Sequence, residues 1–115
     1  MKESLEKLMR ILTDGYAIKI LAASYREEKS AIQLSQELNV PIAACYRRLH
    51  TLQSMDLIDT IVKTNHKGKK TKYYSSRIKR ASINIENNHV LIELSFKNGD
   101  VKRYRGIVIG KGYGE

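Results

Sequence analysis

Apolar residues recur at helical spacing through the first part of the chain. They predict a helix over residues 4–13, capped by Ser4, with its apolar positions at Leu5, Leu8, Met9 and Leu12. A break at Asp14-Gly15 precedes a second, largely buried helix over residues 16–23. Residues 27–29 are interpreted as a solvated connector to the next element.

Two further helices are predicted in the middle of the chain, with only Asn39 and Val40 between them. Ser30 and Gln33 have the spacing of a capping box, which begins a helix from residue 30 to Leu38. Pro41 suits a first helical position and begins the next helix, which extends to about Met55. Because so short a connection prevents side-by-side antiparallel packing, the two helices are expected to cross steeply as a helix-turn-helix.

After Met55 the apolar period changes from 3.6 to 2. Residues 57–64 and 71–75 are predicted to be the two strands of a hairpin, joined by the polar turn 65–70. The last third predicts an antiparallel meander with two hairpin turns. A turn at Asn87-Asn88 would set Ile85 opposite Val90 and Ile83 opposite Ile92, and one at Asn98-Gly99 would set Phe96 opposite Val101. Four glycines in residues 106–115 predict a loose tail.

The predicted fold class is therefore α+β. Residues 1–80 are expected to form a winged helix-turn-helix domain, with three to four helices and a β-hairpin wing. Residues 81–115 are expected to form a C-terminal antiparallel β-meander followed by the glycine-rich tail.

The net charge of +9 is concentrated in one block of the chain. Residues 1–40 sum to zero, residues 41–80 carry +8, and residues 81–115 carry +1. Such a block is typical of a polyanion partner, because cations that neutralise phosphates release condensed counterions. A solvated surface that only aids solubility is the alternative interpretation of the charge.

The helix over residues 41–55 has a basic face free of acidic residues. Cys45, Leu49 and Leu52 define its core side, with Ile42 at the edge. Small residues followed by cationic ones suit a helix that approaches base edges in the major groove. Arg47 is expected to contact a base, and Arg48 and Tyr46 are expected to contact phosphates. The predicted DNA-binding set is Ala43, Ala44, Tyr46, Arg47, Arg48, His50, Thr51, His66, Lys67, Lys69, Lys70 and Lys72.

The segment from Ala44 to Ile58, ACYRRLHTLQSMDLI, resembles the pattern of ArsR-like winged-helix transcriptional regulators. The resemblance extends over about residues 12–76. It implies that helix 41–55 enters the major groove and that the wing around residues 66–70 reaches the neighbouring backbone or minor groove. Asp56 stands where that family usually has glycine, a change that is tolerable if Asp56 adopts the left-handed conformation, which Asp visits more readily than most residues. The meander takes the place of the final helix with which many members dimerise.

Other chemistry has little support in the sequence. Cys45 is expected to be a buried core thiol, and the three histidines are scattered, so we expect no metal site and no cofactor. No nucleophile, base or carboxylate set indicates an enzyme. No segment reads as a secretory signal or is long enough to cross a membrane, and we expect a cytoplasmic protein.

The leading hypothesis is a homodimeric, sequence-specific regulator of transcription that binds double-stranded DNA. The dimer would form through the N-terminal helix or through the apolar face of the meander. Two alternatives stay open: a non-specific or architectural nucleic-acid-binding protein, and a winged-helix adaptor that binds another protein.

Overall fold

The computed structural model describes residues 5–109 and 112–114, and over these residues the chain is an α+β structure. Four helices precede six strands. The helices are α1 (Leu5–Leu12), α2 (Gly15–Ala23), α3 (Ala31–Leu38) and α4 (Ile42–Ser54). The strands are β1 (Ile58–Thr64), β2 (Lys70–Ser76), β3 (Ile78–Glu86), β4 (His89–Phe96), β5 (Val101–Ile109) and β6 (Gly112–Gly114).

Local hydrogen bonds set the beginnings of α2 and α3. The Asp14 carboxylate accepts from the backbone N–H of Ala17 at 2.8 Å and so caps α2. The capping box of α3 is confirmed: the Ser30 hydroxyl accepts from the Gln33 N–H, and the Gln33 side chain accepts from the Ser30 N–H. Ser4, the predicted cap of α1, lies outside the described residues.

The connection between α3 and α4 is three residues long, one more than expected. Pro41 is the N-cap of α4 and not its first helical residue. Asn39 adopts a left-handed conformation (φ 54°), the Val40 N–H donates to the Ser35 carbonyl at 3.0 Å, and the Ser35 hydroxyl donates to the Val40 carbonyl at 2.6 Å. These bonds hold the turn and with it the direction in which α4 leaves α3.

The hairpin β1–β2 is confirmed. A third segment of the chain pairs with β2, and the sequence did not predict this pairing. Lys29, interpreted as part of a solvated connector, exchanges backbone hydrogen bonds with Tyr74 at 2.8 and 3.0 Å. The base of β2 is thereby tied to the segment that precedes α3. Asp56, just before β1, has φ 64°, as expected for a residue in a glycine position.

Strands β3 to β6 form an antiparallel sheet in chain order. The predicted pairs Ile83–Ile92 and Ile85–Val90 are confirmed. The predicted Phe96–Val101 pair is wrong, because the next loop is one residue longer and β5 is shifted. Val101 pairs with Ser95, and the Phe96 N–H donates to the Asp100 carbonyl at 2.8 Å. Val101 therefore lies on the opposite face of the sheet from Phe96.

The prediction of a loose tail in residues 106–115 is also wrong for residues 106–109 and 112–114. β5 continues to Ile109, and residues 112–114 pair with it as β6. β5 has no room for a side chain at Gly106. A Cβ added there would lie 2.3 Å from Leu5 Cδ2 and 3.0 Å from the Gly114 carbonyl oxygen. Residues 110, 111 and 115 lie outside the described residues.

Helix α1 packs against β5 and β6. Leu5, Leu8 and Ile11 belong to the same core cluster as Ile92 and Leu94. Residues of the N-terminal helix and of the apolar face of the meander, the two surfaces expected to form a dimer, thus share one core within the chain, whereas Ile85 on that face is exposed. The expected domain boundary at residue 80 lies inside β3, and the segments on either side share this core.

Candidate nucleic-acid interface

The side of α4 predicted to face DNA is largely open to solvent. Ala43, Tyr46, Arg47 and His50 are exposed. Thr51 is half-buried, and its hydroxyl donates to the Arg47 carbonyl at 3.1 Å within the same helix. This face carries a small residue near its N-terminus and a guanidinium one turn later.

The core side of α4 is confirmed, but it is wider than the helical wheel predicted. Cys45, Leu49 and Leu52 are fully buried. Ala44, expected among the DNA-contacting residues, is only 6% exposed, so that expectation is wrong. α2 and α3 both pack against α4, and a small buried side chain at this position allows a neighbouring helix to approach closely.

Arg48, expected to contact phosphate, is engaged within the fold. Its Nε and Nη2 donate to the two carboxylate oxygens of Asp14 at 3.0 Å each, and its guanidinium lies 5.5 Å from the centre of the Tyr16 ring. The hydrogen bonds from Arg48 are the main reason that the pKa of Asp14 is lowered from its ordinary value. Arg48 therefore joins α4 to the start of α2.

The tip of the β1–β2 hairpin is held by backbone groups and by one asparagine side chain. The Asn65 Oδ1 accepts from the N–H groups of Lys67 and Lys69 at 2.9 Å each. The Gly68 N–H donates to the Asn65 carbonyl at 2.9 Å, and Gly68 has φ 81°, a conformation that favours glycine. The tip is ordered without using a lysine side chain.

The hairpin cations carry no counterion within the described residues. Lys67, Lys69, Lys70 and Lys72 are exposed, and none forms an ion pair with any residue described. Lys63 differs, because it pairs with Glu28. The chain has no Asp or Glu from residue 60 to residue 85. Exposed His66 lies in the same tip.

A groove of about 250 Å³ lies between the hairpin and the helices and joins the two predicted parts of the site. Tyr46 of α4 borders it on one side, and Lys69, Lys70 and Lys72 border it on the other. The start of α3 also lines it through Ser30 and Ile32, neither of which was predicted. Ile32 is exposed. The sequence does not show which apolar residues of a helix are exposed in a groove, so Ile32 could not be predicted.

A second groove places Arg47 and Thr51 of α4 beside α1. Lys7 and Arg10 of α1 line it and extend the basic surface beyond α4 and the hairpin. Charge counting missed these two residues because residues 1–40 are neutral as a block. Arg10 also forms an exposed i,i+4 ion pair with Glu6 at 3.2 Å.

The remaining candidate chemistry is sparse over the residues described. Cys45 is buried in the core, and burial raises the pKa of its thiol. No group of three His, Cys, Asp or Glu side chains within 5–109 and 112–114 is arranged to hold a metal ion. None of the helices described is long and apolar enough to cross a membrane. Comparison with protein-family models and with curated protein sequences gives no match to this chain.

Proposed function

We propose that this protein is a transcriptional regulator that binds double-stranded DNA as a winged helix-turn-helix. In this proposal α3 and α4 are the helix-turn-helix, and α4 enters the major groove. The β1–β2 hairpin is the wing and lies on the neighbouring backbone or in the minor groove.

The single observation that carries the proposal is the groove shared by Tyr46 and the hairpin lysines. A recognition helix and a wing can act on one duplex only if the residues that contact DNA lie on the same side of the molecule in both elements. The pairing of Lys29 with Tyr74 supports that placement, because it anchors the wing strand beside α3.

The uncompensated charge of the hairpin favours phosphate as its partner. Four lysines that pair with no carboxylate of the described chain, in a segment free of Asp and Glu, repel one another, and a polyanion removes that repulsion. Because Asn65 already holds the tip, less conformational entropy is lost when the lysines bind.

Arg47 is the proposed base-reading residue. It is exposed, it has no ion pair with any described residue, and its planar guanidinium can donate two hydrogen bonds to one guanine edge. Ala43, one turn earlier, leaves room for the helix to approach the bases. The proposed interface leaves out Ala44, which is buried, and Arg48, which is paired with Asp14.

The phosphate contacts are tested by the salt dependence of affinity for duplex DNA, measured by fluorescence anisotropy. Each phosphate contact contributes about 0.9 to the slope of log K against log salt concentration. We expect Lys69→Ala to reduce the slope by about one unit, and the triple variant of Lys69, Lys70 and Lys72 to reduce it by about two to three units. Lys19→Ala is the matched control, since Lys19 is exposed on α2 and lines neither groove.

Specificity is tested by selecting bound duplexes from a random pool and then comparing the selected duplex with a random competitor. A specific regulator prefers the selected duplex by at least about 10³-fold. Arg47→Ala should lower affinity for the selected duplex by about 1–3 kcal/mol and relax the preference at one base pair. Arg26→Ala, which alters another exposed arginine, should change neither.

Each alternative function has its own outcome. Tight binding that does not distinguish selected from random DNA would indicate an architectural nucleic-acid-binding protein. No binding of wild-type protein to duplex DNA at physiological salt, or a triple lysine variant with an unchanged slope, would refute the proposal.

A further inference from the structure

Strand β3 is an edge of the four-stranded sheet, because β4 is its only partner among the strands of residues 5–109 and 112–114. Two backbone hydrogen bonds between the β4 and β5 segments show which backbone groups of β3 are left without a strand partner. The Phe96 N–H donates to the Asp100 carbonyl, and the Val108 N–H donates to the Asn88 carbonyl, so even-numbered positions along β4 are directed toward β5. The odd-numbered residues of β4 are therefore directed toward β3, since direction alternates along an antiparallel strand.

The register between β3 and β4 then identifies the outward groups. The β3 partners of the odd-numbered β4 residues are Arg80, Ser82, Asn84 and Glu86. The N–H and C=O groups of Ala81, Ile83 and Ile85 consequently point away from the sheet. These groups form a ready template for another strand.

The order of side chains along β3 is complementary to itself. If a second copy pairs antiparallel about a two-fold axis through Ile83, the outward backbone groups of the two strands meet. Ile83 then faces its own copy, Ala81 faces Ile85, and Arg80 faces Glu86. Neither Arg80 nor Glu86 forms an ion pair with any residue described.

Charge selects this register over its neighbours. If the second copy is shifted by two residues in one direction, Arg80 lies opposite Asn84. If it is shifted by two residues in the other direction, Arg80 lies beyond the end of the partner's β3. Only the alignment on Ile83 gives two opposite-charge pairs, one at each end of the seven paired residues 80–86.

The same alignment gives the most exposed apolar side chain a place to pack. Ile85 is 82% exposed. Opposite Ala81 of a second copy, it lies next to a groove of about 430 Å³ between α2 and β3. The groove is lined in part by Ile18, Leu21 and Ala81, and Ile18 is itself an exposed apolar residue.

We propose that two copies of this chain associate through β3, joining their sheets about a two-fold axis at Ile83, with Arg80 of each copy paired to Glu86 of the other. The occupant of the edge is thus a second copy, and the contact follows the β3 edge of the meander, including Ile83 and Ile85, rather than the N-terminal helix. This association is independent of DNA, so the two proposals can fail separately.

The test measures molar mass by light scattering after size exclusion, without DNA and over a range of micromolar concentrations. Wild-type protein should approach twice the 13.2 kDa chain mass as concentration rises. R80E places two carboxylates opposite each other at both ends of the interface, and E86R does the same with two guanidinium groups. Each should weaken dimerisation by about tenfold or more.

A mixture of R80E and E86R tests the proposed pairing most directly. In a heterodimer of R80E with E86R, each carboxylate meets a guanidinium, so the mixture should regain wild-type dimerisation although each variant alone has lost it. R105E is the matched control, because Arg105 is exposed on the same sheet but away from the β3 edge, and it should dimerise like wild type.

Three results would overturn the proposal. They are a wild-type chain that stays monomeric throughout the range, a dimer that neither R80E nor E86R weakens, and two weakened variants that do not recover on mixing. Circular dichroism of each variant shows whether it is folded, and recovery in the mixture cannot come from chains that are unfolded.

Discussion

Arg48 was expected to contact phosphate, but it is paired with Asp14. Mutation of this pair can separate a structural role of Arg48 from a role in DNA binding. Arg48 makes two hydrogen bonds of 3.0 Å to Asp14, and their side chains are 28% and 25% exposed. Because both groups are partly solvated, we assign their coupling about 1 kcal/mol, below the range for fully buried charged pairs.

A double-mutant cycle gives the expected free energies of unfolding. Arg48→Ala should cost about 1.5 kcal/mol, from the coupling and from contact with the Tyr16 ring. Asp14→Ala should cost about 2 kcal/mol, because the N-cap bond to Ala17 is lost as well. The double variant should cost about 2.5 kcal/mol, so the sum of the single variants exceeds it by the coupling of about 1 kcal/mol.

The same ion pair predicts a pH dependence whose sign follows from the lowered pKa of Asp14. A carboxyl whose pKa is lower in the folded chain stabilises the fold above its ordinary pKa of 3.8. That contribution is lost as the pH falls below this value and through the lower folded pKa. The stability difference between wild type and Arg48→Ala should therefore be constant near neutral pH and shrink in acid.

The assays are urea unfolding for the cycle and fluorescence anisotropy for DNA affinity well below the unfolding transition. Arg48→Ala should bind DNA nearly as well as wild type once it is folded, whereas Arg47→Ala should be as stable as wild type and bind weakly. If Arg48→Ala instead retains full stability and loses as much DNA affinity as Arg47→Ala, the structural role assigned to Arg48 is refuted.

Three further predictions concern the core and the turns. Gly106→Ala should destabilise the fold by about 1–3 kcal/mol, because its Cβ would meet Leu5 Cδ2 at 2.3 Å. A Cβ at Gly15 would meet nothing within 4 Å, so Gly15→Ala should be tolerated. Thermal melts of the two variants compare their stabilities. Asn39→Ala should cost about 1 kcal/mol because of its φ of 54°, and Asn39→Gly should not; equal melting temperatures would contradict this. The Cys45 thiol should react slowly with a disulfide reagent when folded and rapidly in denaturant, and rapid reaction of the folded chain would contradict its burial.

The features that sequence predicted well are those encoded within a few residues. The α3 capping box, the left-handed Asp56 and the β3–β4 turn at Asn87-Asn88 each depend on neighbours in the chain. The basic face of α4 is equally local, since helical geometry alone decides which residues share a side with Arg47.

The loop at Asn98-Gly99 shows how a local signal can mislead by one residue. The dipeptide is typical of a two-residue turn, but Gly99 (φ 96°) closes a loop that begins at Lys97. Lys97 donates its backbone N–H to the Arg77 carbonyl and its Nζ to the Tyr25 carbonyl, which are distant in sequence. Tertiary contacts therefore accompany the longer loop, and Val101 changes face as a result.

By itself, the sequence determined the order and type of the elements from α1 to β5, the basic character of α4 and the hairpin, and the buried position of Cys45. Only the tertiary structure decided that Ala44 is covered, that Arg48 is paired with Asp14, and that α1 covers the sheet near Gly106. The physical reason is range. Periodicity and capping act between residues a few positions apart, whereas burial and charge pairing depend on which distant segments meet in space.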